Sequence, residues 1–412
     1  MKTLLKSVVR GSLLVALELT AGNAPGQTSL TFVSRAPLPV AHYGMGYTND
    51  QQFIYQVGGG SPATALTGDV YRYDLAANTW AVGAAMVTPQ RWSTAAILNP
   101  GTAGSLIYVL NGAASVANSP VQAMETVQAA SSLDGPSFAN PQSTTTAGSA
   151  VWNGVLYCYG GISGTTYASS LRAYNRLTDT WTTLAPLPQA RTTAGAAVNG
   201  KVYAFGGYDG LVNYSRVDAY DIATNQWQAL ASLPTVVSNQ AVAVQGEWIW
   251  LVGDFNNQSY LAAYNTRTAQ LRTFTSNLPP RRNAAAAIVN NQLYVWGGNT
   301  ASANSSALSD MWRADVGFLL LGTTAAAAKP ILQAYPNPSV SGRFQVLLPD
   351  AGGAGEVQVL VRDGRGQLVR HVRVRRGGTT HELDLADQPA GLYLVETRQA
   401  GLVTARCRLV RQ

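Results

Sequence analysis

Short apolar runs, each bounded by Gly, Asn, Asp or Pro, follow one another along almost the whole chain. Their alternation and their Val, Ile, Tyr and Trp content predict strands, and Glu/Lys patterning at helical spacing is almost absent. The runs recur in a fixed order. An alanine-rich strand comes first, as in AGAAVNG at 194–200, and a second strand then ends in a glycine pair. The pairs are VGGG at 57–60, YGGI at 159–162, FGGY at 205–208 and WGGN at 296–299, with degenerate copies LNGA at 110–113 and VGDF at 252–255. These markers lie at 58, 111, 160, 206, 253 and 297, at intervals of 53, 49, 46, 47 and 44 residues, and define six units. A third strand closes on a Tyr-Asp or Tyr-Asn step: YRYD at 71–74, RAYN at 172–175, DAYD at 218–221 and AAYN at 262–265. Seven residues beyond that Tyr stands a Trp in three units: Trp80, Trp181 and Trp227. Leu-Pro turns such as LAPLP at 184–188 end the units.

Four short strands in about 45–50 residues is the period of a propeller blade. Blades taper toward a common axis. The turn after the second strand must be sharp, and glycine there accepts a positive φ and lets the neighbouring blade approach. The Trp fills the wide outer gap between blades. The aspartates after the repeat Tyr, Asp74 and Asp221, read as turn caps. With its Gly-Gly, Tyr and spaced Trp, the pattern resembles the kelch repeat over about residues 28–316, most specifically in units one, three and four. Unit two lacks the Trp and has Asn111-Gly112, and unit five has Gly253-Asp254 with Phe274 near the Trp slot. The expected fold is all-β: a six-bladed kelch-type β-propeller followed by a small β-sandwich.

The last unit lacks its fourth strand. LTFVSRAPLP at 30–39 carries the missing features, with Phe32 in the aromatic slot, so an N-terminal strand at 30–34 is expected to complete the last blade and remove its free edge. FLLL at 318–321 is the alternative.

The C-terminal region is a different object. Beyond the segment 318–333, read as a linker, AYPNPS at 334–339 precedes strands with period-2 alternation over 334–412. This region resembles the type A C-terminal sorting domain of the type IX secretion system of Bacteroidota. The resemblance rests on Pro336, Asn337, Pro338, Val361, Asp363, Gly366, Gly391, Tyr393, Arg408 and Arg411. It implies recognition by secretion machinery in the outer membrane, usually followed by removal of the domain. Residues 1–26, with Lys2, Lys6 and Arg10 before LLVALELTA, read as an export signal. No later stretch has the length of a membrane span.

Charge narrows the partners. Of the net +7, residues 28–329 contribute only +1 (14 basic, 13 acidic), so the propeller carries no electrostatic footprint for nucleic acid. The two cysteines, Cys158 and Cys407, exclude a disulfide framework and a cysteine metal site, and no cofactor is implied. Some kelch proteins are copper radical oxidases, but that centre needs two His and a Cys cross-linked to Tyr. Here His42 is the only propeller histidine.

Function is expected on the loops before each first strand and after each second strand, which share one face. Kelch proteins often present an Arg there. His42, Arg91, Arg191, Arg281 and Arg282 occupy these positions and are the candidate ligand contacts, for a protein or glycan outside the cell. The competing reading has them bonding local carbonyls. A sialic-acid mutarotase or lyase activity is the enzymatic alternative. It requires an acid or base beside an Arg, and Glu125 and Glu247, the only propeller glutamates, supply no evident pair. No catalytic or metal-binding residue is assigned.

Overall fold

The structure is a computed structural model describing residues 29–83, 85–98, 105–115, 119–128, 137–321, 332–347, 356–364, 367–375, 380–399 and 402–412. The expected export signal, most of the expected linker and Gly366 lie outside the described residues. Two compact units divide at Gly317 and Phe318.

The first unit contains six four-stranded antiparallel sheets. In blade four, Thr192–Val198, Lys201–Tyr208, Val217–Asp221 and Gln226–Ala229 pair in sequence order, and blades one, three and five follow the same order. Blade two is also four-stranded, although its last strand is only Phe138–Ala139. In blade six, Val33–Arg35 pairs antiparallel with Met311–Asp315 as the outer strand. The N-terminal strand thus completes the sheet, slightly beyond the expected 30–34. Residues Ser29–Leu30 instead pair parallel with Thr275–Ser276 at the edge of blade five. Phe318–Leu321 forms one helical turn.

Each first strand lies beside the next blade's first strand, and the sixth returns to the first. That closes the ring. These innermost strands are built from small residues (TAAI, GSAVW, TTAGAAV, AVAVQ, AAAIV) because they converge on the axis. The larger side chains pack between blades. Tyr203 and Phe205 of blade four, for example, meet Ile249, Leu251 and Tyr264 of blade five, all buried. Full burial of one such aliphatic side chain contributes about 1.5–3 kcal/mol.

The repeat signature has a concrete basis at these seams. The first glycine of each pair receives a main-chain carbonyl of the next blade. A Cβ on Gly58, Gly160, Gly206 or Gly253 would lie 2.4, 2.4, 2.1 or 2.4 Å from the oxygens of Gln90, Arg191, Val237 and Arg281. The second glycine's N–H bonds the same carbonyl: Gly59 to Gln90 (2.8 Å), Gly161 to Arg191 (2.9 Å), Gly207 to Val237 (2.8 Å) and Gly298 to His42 (2.8 Å). The last of these seams joins blade six to blade one.

At the wide end, each repeat Trp donates its indole N–H to a carbonyl of the preceding blade: Trp80 to Ala36 (3.0 Å), Trp181 to Ala139 (2.9 Å) and Trp227 to Ala185 (2.9 Å). Each ring lies 5.0–5.3 Å from its repeat Tyr. Those Tyr hydroxyls donate to Asn78, Asp179 and Asn225, all at positive φ in the intervening turn. Asp74 and Asp221 accept backbone N–H groups two and three residues on, as turn caps do.

The second unit is a two-sheet β-sandwich. One sheet holds Gln333–Tyr335, Arg343–Leu347 and Thr380–Asp384; the other holds Leu368–Arg375, Glu356–Arg362, Gly391–Gln399 and Leu402–Arg411. Phe344, Val346, Val359, Val361, Leu383, Tyr393 and Val395 are among its core residues.

Candidate ligand-binding site

A three-residue lead-in stands at the start of every first strand: His42-Tyr43-Gly44, Gln90-Arg91-Trp92, Thr144-Thr145-Thr146, Arg191-Thr192-Thr193 (whose last two residues already belong to the strand), Val237-Ser238-Asn239 and Arg281-Arg282-Asn283. In five blades the carbonyl of its first residue faces the preceding blade's marker glycine. Its side chain is turned back into its own blade, where the marker glycine's carbonyl needs a donor. Arg191 Nε donates to Gly206 O (2.7 Å), and Arg281 Nη1 donates to Gly297 O (3.2 Å). Arg191 also pairs with Asp218 at 2.7 Å, both fully buried, and Arg281 pairs with Asp310 at 2.7 Å. Burial lowers the Arg191 pKa from its usual value, against the opposing pull of Asp218. His42 is likewise buried, with its ring nitrogens on Val40 O (2.9 Å) and Asp69 (3.1 Å).

The third residue lines the channel in all six blades, whereas of the second residues only Thr192 and Ser238 reach either cavity. Five of the six third positions (Gly44, Trp92, Thr146, Asn239 and Asn283) have φ between 51° and 60°. This shared turn links blades by main-chain bonds that run from Asn239 through Asn283, Gly44 and Trp92 to Thr146. Gly and Asn suit that conformation. A tryptophan there costs about 1–2 kcal/mol, so Trp92 is held against its own backbone preference.

Two cavities meet at this ring. The channel, of about 560 Å³, is lined by the first strands. Its lining includes no Asp, Glu, His, Lys or Arg; its one titratable side chain is Tyr47, whose hydroxyl is engaged with Val242 and whose pKa burial raises. Above it lies a cup of about 370 Å³. Trp92, Thr146, Thr192 and Asn239 line both. Tyr208, at the end of a second strand, and Tyr167 and Phe255, beyond second strands, supply aromatic surface to the cup, and Asn213 and Asn256 supply amides. The rings are braced. Arg91 lies over Trp92 at 4.0 Å and Arg282 over Phe255 at 4.1 Å, while Tyr167 and Tyr208 meet edge-on at 6.0 Å. Arg91 Nη1 also donates to Tyr43 Oη (3.0 Å), and Arg282 Nη2 donates to Ser302 Oγ (3.2 Å).

The Kelch motif family matches residues 143–188 and 191–234, which cover blades three and four. The Secretion system C-terminal sorting domain family matches residues 333–410. The chain joins a kelch propeller to a secretion sorting tail. That tail directs it to the cell surface or the extracellular space through the type IX machinery. No curated protein matches the chain significantly in sequence. Among solved structures, that of YjhT is similar with a TM-score of 0.57 at 15% identity, over 67% of this chain and 95% of that one. This likeness concerns the fold.

The kelch propeller corrects part of the expected site. His42, Arg191 and Arg281 are internal braces of their blades and line neither cavity. Arg91 and Arg282 stand behind the rings instead of projecting to a ligand. The lead-in turn decides this, because seating the first carbonyl on the neighbouring glycine fixes where its side chain points. Sequence reasoning passed over the cup aromatics. Their one visible mark was Trp92, a tryptophan outside the repeat's Trp slot. Glu125 accepts the N–H groups of Val87 and Thr88 and is buried, and Glu247 pairs with Arg267 at 2.8 Å. Neither lines the channel or the cup.

In the tail, Asn337 clamps the last strand, donating to Arg408 O (2.7 Å) and accepting from Val410 N–H (2.9 Å). Pro336 and Pro338 flank it after cis peptide bonds. Tyr393 is buried and donates to Pro389 O, Arg411 donates to Ala386 O (2.9 Å), and Asp363 accepts Gln367 N–H (2.9 Å) across a turn. Gly391 opens the strand Gly391–Gln399, exposed. Among the described residues, no helix is long and apolar enough to cross a membrane and no cluster of three metal-ligating side chains occurs.

Proposed function

We propose that the exported kelch propeller is a non-catalytic binding module that takes an extracellular protein or glycan in the cup at its channel mouth. One observation carries the reading: cup and channel offer aromatic rings, amides and hydroxyls, without a carboxylate or histidine to serve as acid or base or an arginine to hold an anionic substrate beside it. A mutarotase or lyase would require an arginine beside a titratable group in the channel, and the only titratable neighbour there is the engaged phenol of Tyr47. Export through the tail gives the module access to ligands outside the cell.

The test is a screen of the mature full-length chain on glycan and peptide arrays, with hits followed by NMR for anomer exchange or bond cleavage. Binding without turnover, weakened by Phe255→Ala, is the expected result. Turnover of any bound ligand, or binding unchanged in Phe255→Ala, would overturn the proposal.

A further inference from the structure

We infer that the cup's ligand is the neutral, uncharged end of a saccharide chain, stacked on Trp92. This rests on the binding reading above and narrows its ligand class. Sugar rings present apolar C–H faces and a rim of hydroxyls. The site must therefore combine flat aromatic surface with neutral donors and acceptors. The cup has this combination: Trp92 and Phe255 as surfaces, and the amides of Asn213, Asn239 and Asn256 close by. Those three side-chain amides make no hydrogen bond within the described residues, so their donors and acceptors are available to hydroxyls.

Rigidity points the same way. The Trp92 indole is fixed by its turn at φ 54° and by Arg91 over its ring, and Phe255, though 42% exposed, is backed by Arg282. Platforms ordered before binding lose little freedom on contact, which a weakly attractive hydroxylated ligand needs. No charged side chain lines the cup, and its nearest cations, Arg91 and Arg282, are screened behind Trp92 and Phe255, so a carboxylate or phosphate entering it would lose hydration without a direct ion pair. Because Trp92 and Asn239 also line the channel, the outermost sugars can sit in the cup with the chain end directed toward the channel.

Isothermal titration of the mature full-length chain tests this with three probes: neutral cello-, malto- and manno-oligosaccharides, acidic oligogalacturonate and sialyllactose, and an uncharged peptide set. The variant is Trp92→Asn, since Asn239 and Asn283 hold the equivalent turn in other blades and the fold should tolerate it. At least one neutral series should bind, the acidic probes at least tenfold more weakly. Trp92→Asn should reduce affinity at least 30-fold with unchanged far-UV circular dichroism, and Trp92→Phe should recover part of it. Peptide binding without saccharide binding would overturn the saccharide assignment and leave the binding module standing. Preference for the acidic probes, or full affinity in Trp92→Asn, would also overturn the assignment. Failure of every probe would remove both.

Discussion

Gly206 tests the seam directly. Its φ is +54°, and an added Cβ would sit 2.1 Å from Val237 O, a backbone atom of blade five. Three costs meet in Gly206→Ala. The left-handed conformation costs an alanine about 1–2 kcal/mol. Relieving the overlap requires the seam to open, at about 1–3 kcal/mol for an overpacked site. Opening it strains the bond from Gly207 N–H to Val237 O at 2.8 Å, worth about 0.5–1.5 kcal/mol. The sum is about 3–6 kcal/mol. Gly200→Ala is the control: φ there is +74°, but nothing lies within 4 Å of the added Cβ, so only the conformational term of about 1–2 kcal/mol applies. At about 2 °C per kcal/mol for a domain of this size, Gly206→Ala should lower Tm by about 6–12 °C and Gly200→Ala by about 2–4 °C. Thermal unfolding of the chain, followed by tryptophan fluorescence, measures both. Equal shifts would show that the glycine serves only local backbone conformation and that the inter-blade carbonyl seat is not what the repeat preserves.

Other consequences are as concrete. Asp218→Ala strands the fully buried Arg191 and should cost about 3–5 kcal/mol in guanidinium denaturation, while replacing both residues with apolar ones of similar volume should restore most of the loss; no restoration would contradict an internal brace. Removing residues 29–35 exposes the edge of Met311–Asp315 and deletes buried Leu30 and Phe32, about 3–6 kcal/mol together, so size-exclusion chromatography should reveal association of the truncated chain; a monomer with unchanged Tm would refute the clasp. Burial pushes the Cys158 thiol from its ordinary value near 9 up to about 12. The raised folded pKa keeps this group's contribution complete below pH 9. Above that the unfolded thiol ionises first, and stability falls by about 1.4 kcal/mol per pH unit toward pH 12. Cys158→Ala should flatten that alkaline limb, which denaturation at pH 8, 9 and 10 would reveal.

Repeats made the fold readable. The glycine pair, the Tyr-Asp step and the Trp seven residues beyond Tyr are local answers to a geometry imposed six times, so spacing alone set blade number, strand order and the need for an N-terminal strand in the last blade. The tail was readable because its marked residues make local structural contacts: Asn337 clamps the last strand, and Tyr393 closes onto Pro389 in the turn before its own strand. The site was not. His42, Arg191 and Arg281 look like ligand contacts from their position before a strand, yet the direction of their side chains depends on a carbonyl seated against Gly297, Gly160 and Gly253 of the adjacent blades. The cup aromatics stand at positions whose residue type differs between blades, a lead-in turn for Trp92, a strand end for Tyr208 and loops for Tyr167 and Phe255, so no period marks them. What the sequence determined by itself was everything repeated within a blade. Only the tertiary structure decided which non-repeated residues of blades two to five converge on the axis, because that convergence follows from ring closure and has no local cause.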